Sequence, residues 1–252
     1  MKPAAGSSIV AATLILALVS LSPACALADD SPNDTNQIES LTPQQAKKLA
    51  AEFPGVRVVI EGNIGTSFIE RSLPLNGLKS LDPEIVKALA EFKGSLNLSG
   101  LTTLDADIAK TLAGFKGRSL ELNGLTSLDA DTAKELAEFK GQYLDLNGLT
   151  TLDAATAKAI AGSPAWNGDL SSIVAFESPD SVEIAATLAK RKGPLRLPNL
   201  KKLSSKTLTT LIEKEDVEIP LLETLELIQE PDGGPTEDFV IPKGFETRQK
   251  AR

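Results

Sequence analysis

The feature that most constrains this chain is a phrase that returns at a fixed interval. Leu98, Leu122 and Leu146 each open the string Leu-Asn/Ser-Gly-Leu-Thr-Ser/Thr-Leu-Asp, 24 residues apart, and a looser copy begins 23 residues earlier at Leu75. Self-similarity at such a period is the mark of a solenoid, because one unit cannot bury its apolar face alone and must stack on its neighbours. The expectation is an α/β solenoid of short parallel strands and short helices with degenerate terminal caps.

One unit, Leu120 to Gly141, states the local physics. Leu120 and Leu122 alternate with Ser119, Glu121 and Asn123, the period of a short strand with one buried face. Asn123-Gly124 then predicts a tight bend, since both residues tolerate positive φ. Leu125 and Leu128 return to the core, and Asp129 stands where a helix N-cap accepts from the first free amides. Ala133, Leu136, Ala137 and Phe139 follow at helical spacing, and Lys140-Gly141 closes the helix.

Variation at the cap obeys the same chemistry. Asp82-Pro83 and Ser178-Pro179 pair a capping residue with proline at the first helical position. Thr42-Pro43-Gln44-Gln45 adds the glutamine of a capping box. Asp105, Asp153 and Ser204 take the remaining caps. Helices are therefore expected near 42–53, 82–92, 105–115, 129–139, 153–162, 178–191 and 204–214, each too short to persist without packing. Phe92, Phe115 and Phe139, with Phe53 as a near-equivalent, share one place in successive units and read as a buried aromatic spine.

The ends depart from the rule. The unit holding Trp166, Leu170, Ile173 and Phe176 is stretched, and two later units at Leu195-Arg196-Leu197 and Val217-Glu218-Ile219 replace the Asn-Gly bend with Pro198 and Pro220. The organisation expected is a signal peptide over 1–28, a disordered polar segment over 29–40 and an N-terminal cap over 41–72, with an opening strand around Val58 and Ile60. The repeat solenoid follows over 73–229, and a mobile tail rich in Pro, Gly and acid over 230–252.

The signal reading rests on Lys2, an apolar run from Ile9 to Leu21 and small residues ending Ala26-Leu27-Ala28. That run is shorter than the roughly 20 residues a membrane span needs. Cleavage after Ala28 would leave 224 residues without cysteine, carrying 25 basic and 34 acidic side chains. No disulfide then contributes to stability. The acidic balance argues against nucleic acid or an anionic membrane surface as partner. The chain also has no histidine, which removes Ser-His-Asp catalysis, His-ligated metals and the usual proton shuttle near neutral pH.

The pattern of Leu120 to Gly141, leucine-x-leucine-x-x-leucine-x-x-leucine followed by a short Ala/Leu/Phe helix, resembles leucine-rich repeats. It looks closest to the bacterial surface type, whose period is about 23 residues. The resemblance covers roughly 73–225, and Leu125 stands where that family's asparagine ladder runs. It implies extracytoplasmic display (periplasmic, cell-surface or secreted) and protein or glycan binding, and it carries no catalytic residues to transfer.

Stacking would bring equivalent strand positions to about 4.8 Å apart. Pro74, Asn97, Glu121, Asp145, Arg196 and Glu218 would form one outward column, with Ser72, Ser95, Ser119 and Tyr143 beside it. Glu121 and Asp145 then repel by on the order of 1 kcal/mol in water, which a cation or a basic partner would relieve. As an acid–base pair they lack a water-excluding cleft. The Asp82, Asp105, Asp129 and Asp153 column is explained by capping without calcium. The reading is a non-enzymatic, cofactor-free and metal-free exported binding or scaffolding module. Its contact surface is the strand face at Asn97, Glu121, Tyr143 and Asp145. The alternative is a structural envelope protein assembling by repeat stacking.

Overall fold

The computed structural model describes residues 34–52, 56–61, 67–230 and Phe245. The 1–28 segment, Phe53 and, Glu230 and Phe245 aside, the tail 230–252 lie outside the described residues. Within the stretch expected to be unstructured, Asp34–Gln37 forms a 3-10 turn whose Thr35 is buried.

The repeat phrase becomes a repeat-like α/β arrangement in which short parallel strands alternate with short helices. Helix α1 (Pro43–Glu52) precedes a hairpin of β1 (Val56–Glu61) and β2 (Ser67–Pro74), and then α2 (Pro83–Leu89). The strand–helix pairs β3 (Ser95–Asn97) and α3 (Ala106–Ala113), β4 (Ser119–Glu121) and α4 (Ala130–Ala137), and β5 (Tyr143–Asp145) and α5 (Ala154–Gly162) follow. The later part holds β6 (Ala175–Phe176), α6 (Ser181–Ala189), β7 (Leu195–Arg196), β8 (Lys202–Ser204), α7 (Ser205–Ile212), β9 (Val217–Glu218) and β10 (Glu226–Ile228). Among the described residues there are seven α-helices, all close to the expected spans.

Strands β1 to β5 form one sheet in chain order, antiparallel at the β1–β2 hairpin and parallel thereafter. The register is set by the leucines: Leu73, Leu96, Leu120 and Leu144 are successive partners, and all are buried. A shift of one residue would turn this whole set to water. Leu122, Leu125, Leu136 and their equivalents complete a continuous core. The phenylalanine column is part of it, with Phe115 and Phe139 stacked at 6.2 Å and 9° between planes.

Capping follows the expected chemistry in most units. Asp105, Asp129 and Asp153 accept from the amides of Ile108, Thr132 and Thr156 at 2.8, 2.9 and 2.6 Å, and Ser204 accepts from Thr207 at 3.2 Å. Thr42 and Gln45 form the reciprocal capping box. Asp82 caps by position only, beside Pro83. Helix α6 begins three residues later than Ser178: Ser178 and Pro179 belong to a turn closed by the Ser181 amide on the Ser178 carbonyl at 3.0 Å, and Asp180 takes the cap position.

The Asn-Gly bend has a different cause from the one expected. Among the described residues the positive-φ glycines are Gly168 and Gly193, not Gly124. A Cβ at Gly124 would collide with the Ser99 carbonyl oxygen, and one at Gly148 with that of Asn123. Glycine recurs there because each unit presses its backbone onto the preceding one.

Regularity ends after β5. Leu144 pairs with Trp166, whereas Asp169 pairs with Arg196. In the repeat, Leu144 and Arg196 occupy consecutive positions, so 166–169 carries two residues too many, a bulge that Gly168 absorbs at φ 81°. Beyond it the strands split into β7–β9 and a second parallel sheet, β10-β8-β6. No helix among the described residues is long and apolar enough to cross a membrane.

Candidate strand-face site

Parallel pairing in register lines up the outward residues between the buried leucines. Pro74, Asn97, Glu121 and Asp145 are consecutive partners, as are Ser72, Ser95, Ser119 and Tyr143. Asn97, Glu121 and Asp145 are half-buried, whereas Tyr143 is 51% exposed. Ser95 and Ser119 are buried, so the phenol ends a row of small, sunken hydroxyls. The guanidinium of Arg118 lies 5.9 Å from the Tyr143 ring centroid and donates from Nε to Gln142 Oε1 at 2.7 Å. The phenol is thus backed by a cation on one side.

The neighbouring carboxylates are held by amides from adjacent units. Asn97 Nδ2 donates to Glu121 Oε2 at 2.6 Å, and Asn123 Nδ2 to Asp145 Oδ2 at 3.1 Å. Asn167 Nδ2 donates to the other oxygen of Asp145 at 3.3 Å. Asp145 Oδ1 also accepts from the Asn147 amide at 3.3 Å, and Asn97 Oδ1 from the Ser99 amide at 3.0 Å. Donors converging on an anion lower the cost of crowding like charges. The pair therefore has partners inside the chain, and no bridging cation is needed to account for its persistence.

The same row continues past the bulge. Asp169 accepts from the Ser171 hydroxyl and neighbours Arg196, whose Nε donates to Glu218 Oε2 at 3.0 Å. Arg196 and Glu218 thus face outward as expected, as an ion pair on the β7–β9 sheet. Sequence reasoning missed Asn123, Asn167 and Asp169. In the sequence Asn123 reads as a bend residue, and the repeat offers Asn167 and Asp169 no column because the bulge shifts them. The polar Asn-x-Asp signature at 167–169 was the available signal.

Among the described residues no group of three or more Asp, Glu or Cys side chains is placed to hold a metal ion. What the face offers is acceptor-rich hydrogen bonding, one exposed aromatic ring and one stacked cation, a combination suited to recognition. No protein-family model, no curated protein and no solved structure matches this chain.

Proposed function

We propose that the chain is an exported, leucine-rich-repeat-like solenoid that binds or scaffolds a protein or glycan partner through its strand face, without catalysis. The observation that carries this reading is the register that sets Asn97, Glu121 and Asp145 side by side on consecutive strands with Tyr143 exposed beside them. Extended repeat faces bind through many modest contacts, with an aromatic anchor contributing most. Export rests on the 1–28 segment and the cysteine-free remainder. The experiment is affinity capture from the native envelope with residues 29–252, alongside a Glu121→Ala, Tyr143→Ala, Asp145→Ala variant. A partner retained by the wild type and lost by the variant supports the reading, and equal retention by both sinks it.

A second reading, a structural envelope protein that stacks end to end, is favoured by one observation. Leu227, on β10, and Leu221, shortly before it, are 45% and 51% exposed, and β10 ends its sheet among the described residues; exposed apolar edges invite pairing with another chain. Sedimentation that depends on concentration, and that Leu221→Asp with Leu227→Asp abolishes, would favour it over the first.

A further inference from the structure

At the strand face the repeats serve as their own reference, and one position breaks their rule. Ser72, Ser95, Ser119 and Tyr143 are partners in one column of the first sheet. The Leu144–Trp166 bridge carries the same register one step further, to Ala165. Ser95, Ser119 and Ala165 are buried, whereas Tyr143 is 51% exposed. A small residue therefore serves this position wherever the stack needs only packing. A half-exposed phenol recovers little of the burial its size could supply, so stability does not account for the exchange. The ring is nonetheless held in place. The Arg118 guanidinium lies over it at 5.9 Å, and Gln142 fixes that guanidinium through a 2.7 Å bond. An exposed aromatic ring with restricted freedom is a low-entropy contact surface.

The column beside the ring specifies the chemistry it meets. Tyr143 and Asp145 stand two residues apart on β5 and share a face. From Asp145 the column runs to Glu121 and Asn97 on one side and to Asn167 on the other. It therefore reads amide, carboxylate, carboxylate, amide. A carboxylate only accepts, at about four sites, whereas a side-chain amide carries two N–H donors. Asp145 takes three donors from the chain, namely Asn123, Asn167 and the Asn147 backbone. Among the described residues Asn97 and Asn167 each give one N–H to a carboxylate, which leaves the second for a ligand. Fixed acceptors and fixed donors thus stand side by side. Carboxylates already engaged by amides gain less from a lysine or arginine than bare ones would. An anionic ligand would meet the charges of both Glu121 and Asp145.

We infer that the ligand of this face is a neutral saccharide, with a flat β-pyranose ring laid on Tyr143 and its hydroxyls held by Asp145 and Asn167. The C–H face of such a ring is apolar and weakly positive, the complement of the negative face of the phenol ring. Each hydroxyl both donates and accepts, so neighbouring hydroxyls match a carboxylate and an amide in turn. Glu121 and Asn97 extend the same chemistry to the next sugar. The assignment rests on the strand face being the binding surface and adds the chemical class of what it binds.

Tyr143 is the chain's single tyrosine, so selective labelling of its ring gives one magnetic-resonance signal to follow. The full chain is titrated with cellotetraose and with chitotetraose, both neutral and β-linked, up to about 10 mM. A β-linked tetraglucuronate is the anionic counterpart. The expected result is a saturable shift of the Tyr143 ring and of the Asp145 and Asn167 amides with at least one neutral probe. Followed on backbone amides, Tyr143→Ala and Asp145→Ala each weaken binding about tenfold or more, whereas Tyr143→Phe, which keeps the ring, stays within about threefold. Unchanged amide signals in the remaining units verify that each variant is folded. No shift with either neutral probe, a shift that survives Tyr143→Ala, or an equal response to tetraglucuronate overturns the proposal. If envelope capture then still yields a protein that the triple variant loses, the saccharide assignment alone falls. If wild type and triple variant also capture alike, the strand face falls with it as a binding surface.

Discussion

The units between residues 73 and 152 and those after Ser163 use the same buried leucines and reach different sheets. In the first region identical spacing lets one register propagate, Leu73 to Leu96 to Leu120 to Leu144. In the second, two extra residues at 166–169 shift the pairing, and strands form on two faces instead of one. The difference shows that the apolar pattern alone buries a unit, whereas the exact count of residues between patterns decides whether its backbone joins its neighbour's ladder. The second region compensates with side chains. Arg191 ties the carbonyls of Trp166 and Pro194, and the buried Lys214 donates to the Arg191 carbonyl at 3.0 Å and pairs with Asp216 at 2.6 Å. Burial holds the Arg191 pKa below its ordinary value, partly offset by Asp216, yet at any working pH it remains charged.

The largest effect is expected in the regular region. Leu122→Ala removes a fully buried side chain with little room to collapse and should cost about 2–5 kcal/mol in denaturant unfolding. A cost under about 1 kcal/mol would mean the stack is looser than its geometry. Next, Arg191→Met keeps the stem but strands two carbonyls, for a loss of about 1–3 kcal/mol. Hydrogen exchange should quicken at 166–170 and in β7 while β3 to β5 hold their protection. Uniform quickening would show that the two regions unfold as one.

Asp129→Ala should cost about 1 kcal/mol by loss of the α4 cap. The Asp129 carboxyl is held below its ordinary 3.8 mainly by the Thr132 amide, helped by the Thr132 hydroxyl. Because folding lowers this pKa, the stabilisation is complete above pH 3.8 and fades as pH falls through the lower folded value. The gap between wild type and variant should therefore narrow in acid unfolding below that pH, and a constant gap would exclude the linkage. The smallest single effect is at Gly162, and set against Gly124 it separates the two regions. Gly162→Ala meets open space and should stabilise by about 0.5 kcal/mol, whereas Gly124→Ala meets backbone carbonyls and should destabilise by about 1–3 kcal/mol. Equal melting shifts at both sites would erase the contrast.

Much of the fold was legible because each unit repeats its own instructions. The strand register, the phenylalanine column and the aspartate caps follow from spacing within one unit. What escaped depends on contacts between units. Thr156 is fully buried and donates to the carbonyl of Leu128 at 3.1 Å, but in the sequence it looks like an ordinary polar residue in a first helical turn. Gly124 sits in the turn its sequence predicts, but what makes glycine necessary there, the Ser99 carbonyl pressed against it, belongs to another unit. The sheet of β6, β8 and β10 escaped because β6 and β8 fall between the strand leucines and the helix start, a stretch that forms no strand in the regular units. At the candidate site, Glu121 and Asp145 were visible as neighbours, but the amides of Asn123 and Asn167 that hold Asp145 were not.

The threonine ties carry a consequence for how the chain comes together. Thr156 to Leu128 and Thr150 to Thr126 span 28 and 24 residues, and the amide–carboxylate bonds between strands span 22 to 24. The links that stack one unit on the next therefore close over little more than one unit's length, so the loop entropy to be overcome is small and nearly constant along the array. Structure can begin in the regular region and spread outward one unit at a time. Progress should pause at the 166–169 bulge, where the backbone ladder that carries it forward is interrupted.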